Sequence, residues 1–195
     1  MTYVIMRTGA AALVFFGATA AAPAPLGAIP AMPMCVAAAV QTSAAAGRSA
    51  QAGPRDAARY VAAAGASDLY EIQSSQLAQQ KAASDGVRRF AAMMIEHHTM
   101  TTQQVTAAAH ATGLTPPPPA LEPQQAAMIQ RLQGLSGAAF DAEYLRQQRL
   151  AHDMALKLHT RYAADGDTPA LRETATKAVP IIQQHIAQLS AMPRR

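Results

Sequence analysis

The sequence predicts an all-α protein built as a four-helix bundle with one long crossover. Three observations carry this. Alanine supplies 48 of the 195 residues, about half of the 50% hydrophobic content, and alanine is the strongest helix former. Aromatic residues make up only 5% and β-branched residues are sparse, which argues against a sandwich or barrel. From Asp56 onward, caps, glycines and prolines divide the chain into long helical segments, with a proline-rich connection between the second and the third.

Residues 1–22 read as a signal peptide. Arg7 gives a weakly positive start, residues 11–16 form an apolar centre, and Ala18, Thr19 and Ala20 offer a small-residue cleavage pattern. Export to the periplasm or cell envelope is expected. The apolar run is short for a membrane-spanning helix and Pro23, Pro25, Pro30 and Pro33 close it, so no stable span is expected after signal removal. The single cysteine, Cys35, excludes an intrachain disulfide and a CxxC site. Met34 stands before it where an exported lipoprotein carries a small residue, so lipid anchoring is not expected. Residues 23–55, rich in Ala, Pro, Gly and Ser and almost uncharged, read as a disordered linker or as an extended signal region cut near Ala39.

The bundle domain is assigned to residues 56–192. A first helix runs over about 56–83, stopped by Ser84-Asp85-Gly86, which caps a second over about 86–112 that Gly113 ends. Pro116 to Pro119 and Glu122-Pro123 lead into a short helix to about Gln133, with Ser136 a candidate cap for a third long helix over about 138–164. Asp165-Gly166-Asp167 turns the chain, and Thr168-Pro169 starts a last helix to about Ala191, with Pro180 expected to kink it. A helix of roughly 27 residues is about 40 Å long. Residues 113–136 are enough to return the chain over that length, and two hairpins joined by one such crossover have ferritin-like connectivity.

Charge points to no polyanion. Sixteen Lys and Arg face twelve Asp and Glu, but Arg7, Arg48 and Arg55 precede the first acid, Asp56, and from there to the end thirteen bases stand against twelve acids. No stretch interleaves basic and aromatic residues, and nucleic acid is excluded as an expected partner.

Glu71, Phe90-Ala91 with Met94 and His98, the run of residues 135–141 with Tyr144 and His152, and Val179-Pro180 with His185 resemble the exported bacterial family catalogued as domain of unknown function 4142. The resemblance covers about residues 56–192. It implies a ferritin-like fold and export, in proteins often labelled as outer-membrane proteins whose activity is not established. In that family an acidic residue usually precedes the histidine of the second helix; here His97 stands there, with Glu96 before it.

Six histidines all fall in the helical domain. His185 shares a stripe with Ile182, Ile186 and Leu189, His152 one with Asp141, Leu145, Gln148, Leu156 and His159, and His98 one with Met94, Thr101 and Val105, so His98, His152 and His185 are expected to face inward. Glu71 stands on a stripe of small residues, Ala64, Ser67, Ser74, Ser75 and Ala78, where an unpaired charge is costly. Glu71, His98, His152 and His185 come from four helices and form a candidate first shell for one transition-metal ion, with Glu96, His97 and Asp141 as secondary candidates. The alternative is a metal-free buried polar network in which Glu71 accepts hydrogen bonds from the histidines, in a non-enzymatic envelope or stress-associated protein that contacts a partner or itself. An imidazole-rich set suits zinc, copper, nickel or a single iron, and Met93, Met94 and Met100 beside His97 and His98 add a softer copper option. Adjacent helical residues diverge by about 100°, so His97 and His98 cannot both point inward, and His98 is the inward choice. His110 and His159, towards helix ends, read as solvated or dipole-complementing residues rather than ligands. No Glu-x-x-His repeat supports di-iron chemistry, no G-x-S-x-G or catalytic cysteine supports hydrolysis, and no catalytic residue is assigned.

Overall fold

A computed structural model describes residues 55–193. The signal peptide, the lipidation question at Cys35 and all but the last residue of the linker lie outside the described residues. Within them are five helices, α1 Ala57–Lys81, α2 Asp85–Ala111, α3 Pro123–Gln133, α4 Gly137–Asp165 and α5 Pro169–Ala191, and no strand. None is long and apolar enough to cross a membrane.

Local chemistry sets the boundaries. Asp56 accepts the Arg59 N–H at 2.9 Å and opens α1, and Ser84 Oγ accepts the Gly86 N–H to open α2. Gly113, at φ +81°, leaves α2 in the left-handed region that glycine adopts without a steric cost. Glu122 and Gln125 form a capping box on α3, with Pro123 at a position where a missing N–H costs nothing. Ser136 and Thr168 sit at the expected N-cap positions of α4 and α5, but neither side chain makes the capping bond. Helix α5 runs unbroken past Pro180.

Helix α1 packs on α2, α4 on α5, α1 on α4 and α2 on α5, which closes a ring of four long helices. Residue pairs give the directions. Ala82, after α1, pairs with Gly137 at the start of α4, and the Ala57 N–H at the start of α1 donates to Asp167 beyond the end of α4. Thus α1 and α4 run antiparallel, and since α2 returns antiparallel to α1, the crossover has carried the chain the length of the bundle before α4 begins. The crossover is anchored on the way: Gly65 faces Pro119, where a Cβ would lie 3.3 Å from the proline ring, and the Lys81 ammonium donates to Gln133 O at 2.8 Å. Glu143, with Arg131, Arg146 and Gln147, and Gln147 in turn with Tyr70 and Met128 O, tie α1, α3 and α4 together.

The interior has two apolar ends. One contains Val87, Phe90, Met94, Leu132, Phe140, Tyr144 and Leu189, and the other Tyr60, Val61, Val105, Tyr162 and Leu171. Between them in sequence, on all four long helices, lie the buried polar residues Asp68, Glu71, His98, Gln148, His152, His159 and His185. Each apolar end excludes water and lowers the local dielectric, so every polar atom in this belt needs a partner.

Candidate metal centre

Three imidazoles meet in the belt. His98 from α2, His152 from α4 and His185 from α5 each offer a nitrogen, and these three atoms lie within 4.8 Å of one another. All are buried, with exposures of 6%, 1% and 2%. Their convergence follows from one-per-helix placement: His98 and His152 sit in the middle of their helices and His185 in the C-terminal half of α5, each on a buried face, so the four-helix ring brings the three rings together.

Hydrogen bonds define which edge of each ring faces the cluster. His98 Nδ1 lies 2.8 Å from Asp68 Oδ1, and the other oxygen of Asp68 accepts from the Thr102 hydroxyl at 3.0 Å. The remaining nitrogen, His98 Nε2, is buried with no hydrogen-bond partner. His152 Nδ1 lies 2.9 Å from Gln148 O, and a carbonyl only accepts, so the proton of neutral His152 is on Nδ1 and its Nε2 carries a lone pair. That Nε2 lies 3.2 Å from His185 Nδ1, whose other nitrogen lies 2.8 Å from His97 Nδ1. Each imidazole is therefore held on one edge, by Asp68, by a backbone carbonyl and by His97, with the other edge directed into the cluster.

The protonation preferences differ. Burial pulls His98 down, but the hydrogen bond and charge of Asp68, with the charge of Glu71 behind it, outweigh burial and leave its pKa raised. Burial lowers His152, with Glu71 opposing. Burial and then the neighbouring imidazoles lower His185 to about 3. These are the terms that shift a buried imidazole.

The other sequence candidates fall elsewhere. Glu71 is buried, yet its carboxylate is not among the atoms that converge: Oε1 lies 3.6 Å from His152 Nδ1, the edge already held by Gln148 O, and Oε2 has no hydrogen-bond partner. Glu96 is exposed. His97 is half-buried and reaches the cluster through His185. Asp141 accepts the N–H groups of Ala83 and Ser84 and so clamps the α1 to α2 turn. Asp68, which sequence reasoning passed over, supplies the carboxylate contact; its signal was its place three residues before Glu71 on the same inward face.

His159 corrects the sequence expectation of a solvated residue. It is only 3% exposed, because α4 continues to Asp165 and its last turns still pack on α1, where the Tyr60 hydroxyl lies 3.0 Å from His159 Nδ1. Burial lowers its pKa to about 4. His110 is exposed, as expected.

A stability profile follows from these directions. His159 and His185 stay neutral in the fold down to about 4 and about 3, whereas in the unfolded chain they protonate near 6.5. Below pH 6.5 the unfolded state then binds more protons, and stability falls by up to about 1.4 kcal/mol per pH unit for each such histidine. His98 acts oppositely, its contribution being present below 6.5 and lost as pH rises through its raised value. Urea unfolding of the metal-free protein should therefore show a midpoint that drops between pH 6.5 and pH 4, with a shallower drop in His159→Leu; a midpoint flat over that range would contradict the assignment.

The family model described as Domain of unknown function (DUF4142) matches residues 40–192. Among solved structures, a protein described as secreted, DUF305, from Streptomyces coelicolor is similar in fold, with a TM-score of 0.55 and 13% identity over 69% of this chain and 90% of that one. No protein of curated function matches.

Proposed function

The chain belongs to the DUF4142 family, and from that premise we propose that it is an exported metal-binding helical bundle in which His98, His152 and His185 hold one transition-metal ion. The observation that carries the reading is the convergence: three imidazole nitrogens come together while the opposite nitrogen of each is engaged by a hydrogen-bond partner outside the cluster. Metal-ligating histidines are held in this way, and a carboxylate on the outer N–H, as Asp68 is on His98, raises the basicity of the ligand. A bound ion would also satisfy His98 Nε2, which has no other partner. Its chemistry would be that of a Lewis acid with three neutral ligands, a set that suits zinc or copper and leaves room in the first shell.

The residues contribute distinct tasks. Asp68 orients His98 and fixes its proton on Nδ1. Gln148 O does the same for His152. His185 must present Nδ1 unprotonated, with its proton on Nε2 facing His97. The signal-like residues 1–22 support export, with the periplasm or envelope as the compartment, and the similar structure is of a protein described as secreted. Protein purified without a histidine tag should carry close to one ion per chain by elemental analysis after incubation with zinc, copper, nickel or iron and desalting; less than a tenth of an ion with each of them would sink the reading.

A second reading, a metal-free bundle that contacts a partner or itself, is supported by a groove of about 530 Å³ between α1, α3 and α4, lined by Tyr70, Met128, Met154 and Leu158, with Met154 half exposed. A concentration-dependent shift on a sizing column in the absence of metal would favour it.

A further inference from the structure

A second feature of the polar belt adjoins the three imidazoles. A small, partly open cavity of about 20 Å³ is lined by Asp68, His98, Thr101, His159, Ile181 and His185, among others. That volume holds about one water-sized particle, since roughly 10 to 15 Å³ is needed for a single water. Two of its walls are the candidate ligands His98 and His185, and a third is His159, which does not belong to the converging set.

The state of His159 follows from hydrogen-bond accounting. Tyr60 is fully buried, and its hydroxyl has one partner among the described residues, His159 Nδ1 at 3.0 Å. Burial holds the Tyr60 phenol above its ordinary pKa, so it keeps its proton. If His159 Nδ1 were the donor, that phenolic proton would be buried without an acceptor, at a cost of about 1 to 3 kcal/mol. The Tyr60 O–H therefore donates to His159 Nδ1, and neutral His159 carries its own proton on Nε2. No hydrogen bond to His159 Nε2 occurs among the described residues. The Tyr60 ring is fixed in turn by stacking on Tyr162, at 3.8 Å between centroids, so the donor is rigidly held.

We propose that the cavity is a binding pocket for a one- or two-atom hydrogen-bond-accepting ligand of the metal, such as water, hydroxide, cyanide or a diatomic oxygen or nitrogen species, with His159 Nε2–H as its hydrogen-bond donor. This rests on the three-histidine metal reading and adds to it a ligand class and a specificity-determining residue. Three protein ligands leave a coordination position open. The cavity beside them limits what can occupy it by size, and His159 selects by polarity, since a donor fixed by Tyr60 favours an accepting and especially an anionic atom. Asp68 does not compete, because both its oxygens are already engaged by His98 and Thr102. Ala155, Ala178 and Ile182 supply an apolar wall.

The test uses the full mature chain loaded anaerobically with cobalt(II), whose visible bands report both the ion and its ligands. Cyanide, two atoms long, should shift those bands saturably, and thiocyanate, three atoms long, should bind at least tenfold more weakly. His159→Leu should raise the cyanide dissociation constant about tenfold, His159→Gln, which keeps an N–H, should recover most of that loss, and Tyr60→Phe, which frees the tautomer, should fall between. Cobalt bands that cyanide leaves unmoved, thiocyanate binding as tight as cyanide, or equal cyanide affinity in wild type and His159→Leu would each overturn the pocket while leaving the metal site standing. Absence of cobalt bands would remove the metal reading and the pocket with it. Should His159→Leu fail to fold, the cyanide to thiocyanate ratio and the Tyr60→Phe variant still decide the matter.

Discussion

Zinc at a hundredfold excess over its dissociation constant is expected to raise the melting temperature of the metal-free protein by about 10 °C. A ligand that binds only the folded state contributes about 2.7 kcal/mol at that excess, and in a domain of this size each kcal/mol moves the midpoint by about 3 to 4 °C. The gain should disappear in His98→Ala, His152→Ala and His185→Ala, each of which removes one of three converging nitrogens. His97→Ala should retain a reduced gain, because it deprives His185 of the partner that orients its ring, and such outer partners are worth about ten- to a hundredfold in affinity. His110→Ala, exposed near the end of α2, should keep the whole gain. The quantity compared is the zinc-induced difference within each variant, so the intrinsic cost of truncating a buried histidine cancels. An equal gain in the triple replacement and in wild type would place the ion elsewhere on the protein.

The second large effect concerns the carboxylate that holds the site. Asp68→Ala is expected to destabilise the metal-free protein by about 3 to 5 kcal/mol, the usual cost of stranding one member of a buried charged pair. It removes the acceptor of both the His98 Nδ1–H and the Thr102 hydroxyl, in a place where exposure is 3%. Asp68→Asn keeps one carbonyl oxygen for His98 and should cost less than half as much. Glu71→Gln should be close to neutral or stabilising, since Glu71 Oε2 has no hydrogen-bond partner and Oε1 stands 3.6 Å from a His152 nitrogen that is already satisfied. Chemical denaturation of the three variants gives the order directly. A Glu71→Gln loss larger than that of Asp68→Ala would return the clasp to Glu71.

The helices were legible because their ends are written locally. Asp56, Ser84, Gly113, Glu122-Pro123 and Thr168-Pro169 act through bonds to residues within one turn or through their own backbone preference, so their effect does not depend on the rest of the fold. The inward facing of His98, His152 and His185 was legible for a related reason: helical periodicity ties each to its apolar neighbours, and the buried face can be read along one helix at a time. His98 rather than His97 faces inward, as the divergence of adjacent residues requires.

What sequence alone determined, then, was the buried face of each helix that carries His98, His152 and His185. Which atoms meet across the bundle was decided by tertiary structure. Asp68 and Glu71 are one turn apart on the same buried face of α1, and nothing along that helix says which carboxylate reaches a histidine; the axial level of α2 places His98 against Asp68, and that of α4 leaves Glu71 at the far edge of His152. His159 shows the same limit, because the reading of a residue near a helix end as solvated holds only if no other helix covers that end, and here α1 does, with Tyr60. Periodicity constrains rotation about a helix axis, whereas the shift of one helix along another is set by packing many side chains at once, and a displacement of one turn, about 5.4 Å, is enough to exchange one hydrogen-bond partner for the next.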